Sequence, residues 1–340
     1  MLKKISVLVL FLLVVLPGFS RAEDTVSGRI IWRVKIHPRE KASRARLWLP
    51  YPPTTPVQRV TDLRLRGNYR RHGFYTDPRG NLILYFEWDL TRTRHPELEV
   101  SYGVRRREVV RRDLPPALPA YDPAVFGPYL SANRYLVLNE KVRALAERIT
   151  AGRKTVPEKA RAIYDWVIRN LRRDPRVKGC GRGIVCEVLR RRCGKCADLN
   201  SVFVALLRAA GIPAREVFGL RLGRKPGETL TGAQHCWAEF FVPGYGWVPA
   251  DPADVLKAAL VKGLSPTAPE LKSVREYYFG AVDAYRLAFT HGRDLILNPP
   301  QQGPPINYFV YPYLEMDGYP IDPFLGRELE FDILWEPSRN

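Results

Sequence analysis

The chain has 340 residues and carries 54 Lys and Arg against 35 Asp and Glu, a net charge of +19 at neutral pH, with 46% hydrophobic residues. That length is enough for two domains with real cores, and that charge draws a protein toward lipid headgroups, acidic polymers or acidic proteins. Nucleic acid, the usual reading of such a charge, is argued against by the export signal at the start of the chain, and the basic residues are scattered outside Arg105-Arg106-Arg107, Arg111-Arg112 and Arg190-Arg191-Arg192.

Residues 1–22 open with Lys3 and Lys4, continue as an apolar run over 5–16, break at Pro17-Gly18 and end on Ser20 and Ala22, small residues spaced for cleavage. This is the pattern of a secretory signal peptide, too short for a comfortable membrane span. No other stretch approaches the roughly 20 apolar residues a spanning helix needs, so the mature protein is expected to be periplasmic or secreted. Cleavage removes Lys3, Lys4 and Arg21 and takes the net charge from +19 to +16. Five cysteines in an exported chain suggest disulfides, but the odd number leaves at least one thiol unpaired.

Residues 23–110 read as an N-terminal β domain. Val26, Ile30, Trp32, Val34 and Ile36 alternate with polar residues, as do Ala45, Leu47 and Leu49, then Leu82, Leu84, Phe86, Trp88 and Leu90, then Leu98, Val100, Tyr102 and Val104. Residues 77–81 (Asp-Pro-Arg-Gly-Asn) are a turn signal. Period-two strands with one apolar face predict an antiparallel sandwich. His37, His72 and His95 are isolated beside Pro, Arg or Gly and read as loop or surface histidines.

Residues 111–135 form a linker whose five prolines over 115–128 argue against both helix and central strand. The core, 136–258, begins with helical periodicity at Val142, Leu145 and Ile149. Thr155 and Glu158 then announce a capped helix with the stripe Ala160, Ile163, Tyr164, Val167, Ile168 and Leu171. Residues 178–193 show no period. A third helix spans 197–210, closed by Gly211 and Pro213, which sets Cys196 at its first turn, where the helix dipole and free N–H groups favour a thiolate. Three strand-like segments over 214–250 follow, and a hairpin of the last two would bring His235 near Asp251. The remainder, 259–340, is read as an extension packing on the core, with a helix over 270–280.

Three short segments supply a thiol, an imidazole and a carboxylate: residues 193–198, 234–239 and 246–251. A cysteine nucleophile needs a base and a group that orients the base. Cys193 and Cys196 also fit a redox CxxC, a zinc site with Cys180 and Cys186, or a structural disulfide, although no βαβ context precedes the pair and only one pair has zinc-like spacing. Alternation along the strand puts Trp237 and Glu239 on the face of His235 and turns Cys236 toward the core. Asp198 reads as a cap in the helix's first turn.

Cys196-Ala197-Asp198, the run Phe203-Val204-Ala205-Leu206-Leu207-Arg208-Ala209-Ala210-Gly211-Ile212-Pro213-Ala214-Arg215, His235-Cys236-Trp237-Ala238-Glu239 and Gly246-Trp247-Val248-Pro249-Ala250-Asp251-Pro252 together closely resemble the core of the transglutaminase-like superfamily, over residues 158–255. The resemblance implies an α+β, papain-like core behind the β-sandwich domain, with Cys196 as nucleophile, His235 as base and Asp251 as orienting carboxylate. Family spacing selects Cys196 over Cys193, and Asp251 over Asp254. It also implies thioester formation on an amide or peptide carbonyl of a protein or peptide substrate, resolved by amine or by water. The alternatives are a periplasmic cysteine peptidase or amidase, and a non-catalytic scaffold with a relic core. No cofactor or metal motif is found, an anionic envelope component fits the charge, and two of Cys180, Cys186 and Cys193 are expected to pair.

Overall fold

The computed structural model describes residues 25–338; the leader, 1–22, lies outside them. In chain order come β1 (Thr25–Ile36), β2 (Arg44–Tyr51), β3 (Gln58–Gly67), β4 (Arg71–Thr76), β5 (Leu82–Asp89) and β6 (Glu97–Arg107). Helices α1 (Pro123–Leu130), α2 (Glu140–Thr150), α3 (Val156–Asn170), α4 (Val185–Arg191) and α5 (Cys196–Ala209) follow. Then come β7 (Ala214–Arg221), β8 (Gln234–Val242), β9 (Gly246–Ala250), α6 (Pro252–Lys262), α7 (Lys272–Tyr277), β10 (Arg286–His291), β11 (Tyr313–Met316), β12 (Tyr319–Ile321) and β13 (Leu329–Pro337).

The period-two segments become strands of two antiparallel sheets, with neighbours β13-β1-β6-β3 in one and β12-β11-β2-β5-β4 in the other. Ile30, Trp32 and Val34 of β1 share a core with Leu47 and Leu49 of β2 and Phe86 of β5. Inside it Trp32 Nε1 donates to the Tyr102 hydroxyl at 3.1 Å, which satisfies two polar atoms that burial would otherwise strand.

The C-terminal extension does more than pack on the core. Its β10 joins the core sheet, but β13 pairs along β1 from Leu329 opposite Ile36 to Pro337 opposite Gly28, and β11 pairs with β2. Leu329, Ile333 and Trp335 point inward while Glu330 and Asp332 face solvent. Strand β1 would otherwise expose an unpaired edge, and the far end of the chain supplies the partner.

The expected linker holds a short helix, α1. Pro123 sits at its first turn, where a missing N–H costs nothing, and the Asp122 carboxylate accepts from Ala124 N at 2.9 Å. The aperiodic stretch before Cys193 likewise contains α4, two turns long and too short for a period to show.

Helix α3 starts at the capping box read from sequence, with Thr155 N donating to Glu158 Oε2 at 2.9 Å, and its stripe from Ala160 to Ile168 is buried. Helix α5 is buried almost all round. The core sheet, ordered β9-β8-β7-β10 and antiparallel throughout, covers one side of it, while α2, α3, α4 and α6 pack around the rest. A helix buried on every face has no solvent side, so α5 is a fixed post and its N-terminus a fixed point. Among the described residues no helix is long and apolar enough to cross a membrane.

Candidate active site

Cys196 is the first residue of α5. Its position is held by Asp198, whose Oδ2 accepts from Lys195 N at 3.0 Å and whose Oδ1 accepts from Gly183 N at 2.8 Å. The carboxylate thus caps the helix, as read from sequence, and also ties the preceding loop to it. Burial pushes its carboxyl pKa up despite these bonds. Room for it comes from Gly181, at φ +90°, and Gly194, since a Cβ on either would collide with the Asp198 side chain. The loop closes further through Ala197 N, which donates to Cys180 O at 2.9 Å.

His235 lies on β8 opposite Gly219 of β7, and Asp251 follows the last residue of β9, where its side chain caps α6 by accepting from Asp254 N at 3.2 Å. The hairpin of β8 and β9 brings the two together at 2.6 Å, His235 Nε2 to Asp251 Oδ2. The other ring nitrogen, Nδ1, is 3.1 Å from Arg221 Nη2. A guanidinium only donates, so Nδ1 is the acceptor, and the ring proton sits on Nε2 and is given to Asp251. The tautomer is therefore set by its two neighbours, with the Nδ1 lone pair left as the basic site.

The Cys196 thiol donates to Cys180 O at 3.9 Å, and His235 and two further thiols, Cys180 and Cys236, act on its titration. Cys196, His235 and Asp251 are 2%, 2% and 0% exposed, so the whole cluster is shielded from bulk water. The Cys196 pKa is held well below the usual thiol value, first by the Cys180 thiol, then by Cys236 and His235, against the opposing cost of burial. Cys180 and Cys236 are pushed up, Cys180 mainly by its bond to Cys196 and Cys236 mainly by burial. Burial and mutual repulsion thus favour a single negative charge among the three sulfurs. Tyr311 donates to Cys180 Sγ at 3.3 Å.

All five cysteines carry free thiols, so the pairing expected among Cys180, Cys186 and Cys193 does not form. Cys186 is exposed on α4, Cys193 is half-buried, and Cys180 turns inward to Cys196. Cys236 faces the α5 side of the sheet as alternation required, with its sulfur 3.9 Å from Asn200 Nδ2.

Sequence reading missed the polar frame around the triad. Arg221 grips Asp254 with both Nη atoms, one at 2.9 Å, and Arg286 bonds Asp254, lies 3.5 Å from Asp251 and 3.2 Å from Asp283. These arginines hold the Asp254 carboxyl well below its ordinary range against burial. Asn200, four residues after Cys196 and so on the same helix face, donates to Cys236 O at 2.9 Å and lies 3.4 Å from Asp251 Oδ1. Helical spacing could have exposed Asn200; the arginines reach the site only through strand register. His235, Asp251 and Asp254 offer ligand atoms within 4.8 Å of one another, yet both carboxylates are already ion-paired to guanidinium groups, a donor set that favours ion pairs over a metal.

Behind α5, Arg293 and Glu216, each 1% exposed, form a buried ion pair. Ser201 donates to Glu216 Oε1 at 2.6 Å, and Arg293 Nη1 donates to Arg182 O at 3.0 Å, which braces the Cys180 loop against the C-terminal part of the chain. Tyr308 adds a bond to Gly181 O at 2.7 Å.

Residues 143–252 match the family model of the transglutaminase-like superfamily. An uncharacterized protein of Haemophilus influenzae is 36% identical over 328 residues, covering 88% of each chain. The uncharacterized YebA of Bacillus subtilis is 30% identical over 142 residues, 36% of this chain and 19% of its own length. A structure from Cytophaga hutchinsonii, provisionally assigned as a cysteine protease, shares the fold with a TM-score of 0.58 over 93% of both chains at 14% identity. The matched segment holds Cys196, His235 and Asp251 in one buried cluster, and the chain belongs to the transglutaminase-like superfamily.

Proposed function

We propose that this chain is an exported cysteine enzyme that acylates Cys196 with an amide or peptide carbonyl and passes the acyl group to an amine or to water. The observation that carries the reading is the His235 ring, bonded through Nε2 to Asp251 at 2.6 Å, whose Nδ1 takes a proton on giving up its bond from Arg221, with Cys196 buried in the same cluster.

His235 Nδ1 takes the Cys196 proton, and Asp251 stabilises the resulting imidazolium. The thiolate attacks the carbonyl carbon, and the Cys196 backbone N–H at the helix head meets the oxyanion. Collapse breaks the C–N bond as His235 returns its proton to the departing ammonia or amine, leaving a thioester. An incoming amine or water then loses a proton to His235, adds to the thioester, and releases Cys196. The buried site serves the first half of this sequence, because a dry environment strengthens the ion pair and slows hydrolysis of the thioester.

The leader read over 1–22 supports export, and the net charge of +16 left after its cleavage (+19 less Lys3, Lys4 and Arg21) supports an anionic envelope component as surroundings or partner. The mature protein incubated with a glutamine-containing peptide, with and without a primary amine, tests the reading: ammonia release with amine incorporation marks a transferase, ammonia release alone a hydrolase. Absence of either product, together with unchanged behaviour of Cys196→Ala, would point to a relic core.

A further inference from the structure

The oxyanion needs a second donor besides the Cys196 N–H. We infer that the side-chain amide of Gln234 supplies it; the inference rests on the acyl-transfer reading above. Gln234 Nε2 is buried and has no hydrogen-bond partner among the described residues. Gln234 directly precedes His235, as Lys195 directly precedes Cys196, and Gln234 and Lys195 line one cavity of about 600 Å³. That cavity thus reaches the residues that directly precede Cys196 and His235 in the chain.

Strand geometry says from which side the amide comes. Side chains alternate along β8, so Gln234 projects from the face opposite His235, the face that carries Cys236. Asn200 of α5, one turn after Cys196, reaches the Cys236 sulfur at 3.9 Å and its carbonyl at 2.9 Å. The Gln234 amide thus lies on the α5 side of β8, at the strand end where Cys196 heads the helix, while the imidazole reaches the sulfur from the other face. An acyl carbon bonded to the sulfur would have the base on one side and the amide, with the helix N-terminus, on the other.

The remaining unpartnered buried donors do not compete. Trp237 Nε1 sits in a separate apolar cluster with Val217 and Val282, and neither Arg173, Arg286 nor Trp335 lines this cavity. A buried N–H without a partner is a cost to the folded state, and that cost is offset when the donor faces a place where negative charge develops during the reaction.

The test separates chemistry that forms an oxyanion from chemistry that does not. Iodoacetamide alkylates Cys196 by displacement at a saturated carbon, whereas p-nitrophenyl acetate acylates it through a tetrahedral oxyanion and releases a burst of p-nitrophenolate. Both rates are measured on the mature protein and on Gln234→Ala and Gln234→Glu, with alkylation at Cys196 followed by peptide mass mapping. Alkylation is expected to stay within about twofold while acylation falls about 10²- to 10³-fold, the usual loss for one oxyanion donor, and at least as far in Gln234→Glu, whose carboxylate repels the developing charge. Acylation within about threefold of the parent overturns the inference, and so does a parallel fall in alkylation, which would make Gln234 a positioning residue for the thiolate. A parent protein that alkylates at Cys196 but shows no acylation overturns the acyl-transfer reading itself.

Discussion

Replacing Cys180 by Ala tests whether its thiol donates a hydrogen bond to a Cys196 thiolate. Cys180 is the largest single influence holding the Cys196 pKa down, and Tyr311 donates to its sulfur at 3.3 Å. A hydrogen bond to a charged group contributes about 1.5–3 kcal/mol, and each 1.36 kcal/mol is a factor of ten in a protonation equilibrium. Losing it therefore lowers the thiolate population on the acid limb roughly 10- to 150-fold. The sign follows from the direction of the shift: a depressed pKa keeps the thiolate as pH falls, so losing the donor moves the transition to higher pH and leaves the alkaline plateau unchanged. The assay is the iodoacetamide alkylation rate of Cys196 across the pH range, separated by peptide mapping from the exposed Cys186 and the half-buried Cys193. Tyr311→Phe should shift the limb the same way by less, since the tyrosine only orients the donor. An acid limb that stays within twofold of the parent, or moves to lower pH, refutes the thiol-donor account.

Asp251→Asn should lower turnover by about 10³- to 10⁴-fold, with stability within about 1 kcal/mol because asparagine also caps α6; steady-state rates alongside thermal unfolding check both halves. The buried pair behind α5 predicts that Glu216→Leu or Arg293→Met alone costs about 3–5 kcal/mol by stranding a charge, while the double substitution recovers most of that loss. Urea unfolding of the four proteins in the cycle measures it, and a double variant no better than the worse single one would contradict the prediction. His291 is pushed down to about 4, chiefly by burial and next by Arg215. The unfolded chain takes up that proton near pH 6.5, so stability falls as pH drops from about 6.5 toward 4, by up to about 2–3 kcal/mol. A melting temperature equally flat over that window in the parent and in His291→Gln would count against it.

Much of this protein was legible in the chain. Period-two alternation located β1, β2, β5 and β6, because a half-buried strand writes its two faces directly into its residues. The Thr155 and Glu158 box marked the start of α3, and the position of Cys196 at the head of a helix closed by Gly211 singled out the thiol whose environment favours ionisation. The resemblance to the transglutaminase-like superfamily nominated Cys196, His235 and Asp251, and the fold brings His235 and Asp251 together at 2.6 Å.

What local pattern could not show is what depends on pairing across long separations. Nothing near Leu329 says that it lies opposite Ile36, since an edge strand accepts any chain of the right alternation. Arg221 and Arg286 enter the site only because β7 lies between β8 and β10, a register no periodicity encodes. Cys180 looked like one half of a disulfide and instead carries a buried free thiol next to Cys196, because a loop pinned by Asp198, Arg293 and Tyr308 holds it there. Residue type and motif nominate the candidate groups; their charge states depend on which buried neighbours the tertiary fold brings to them.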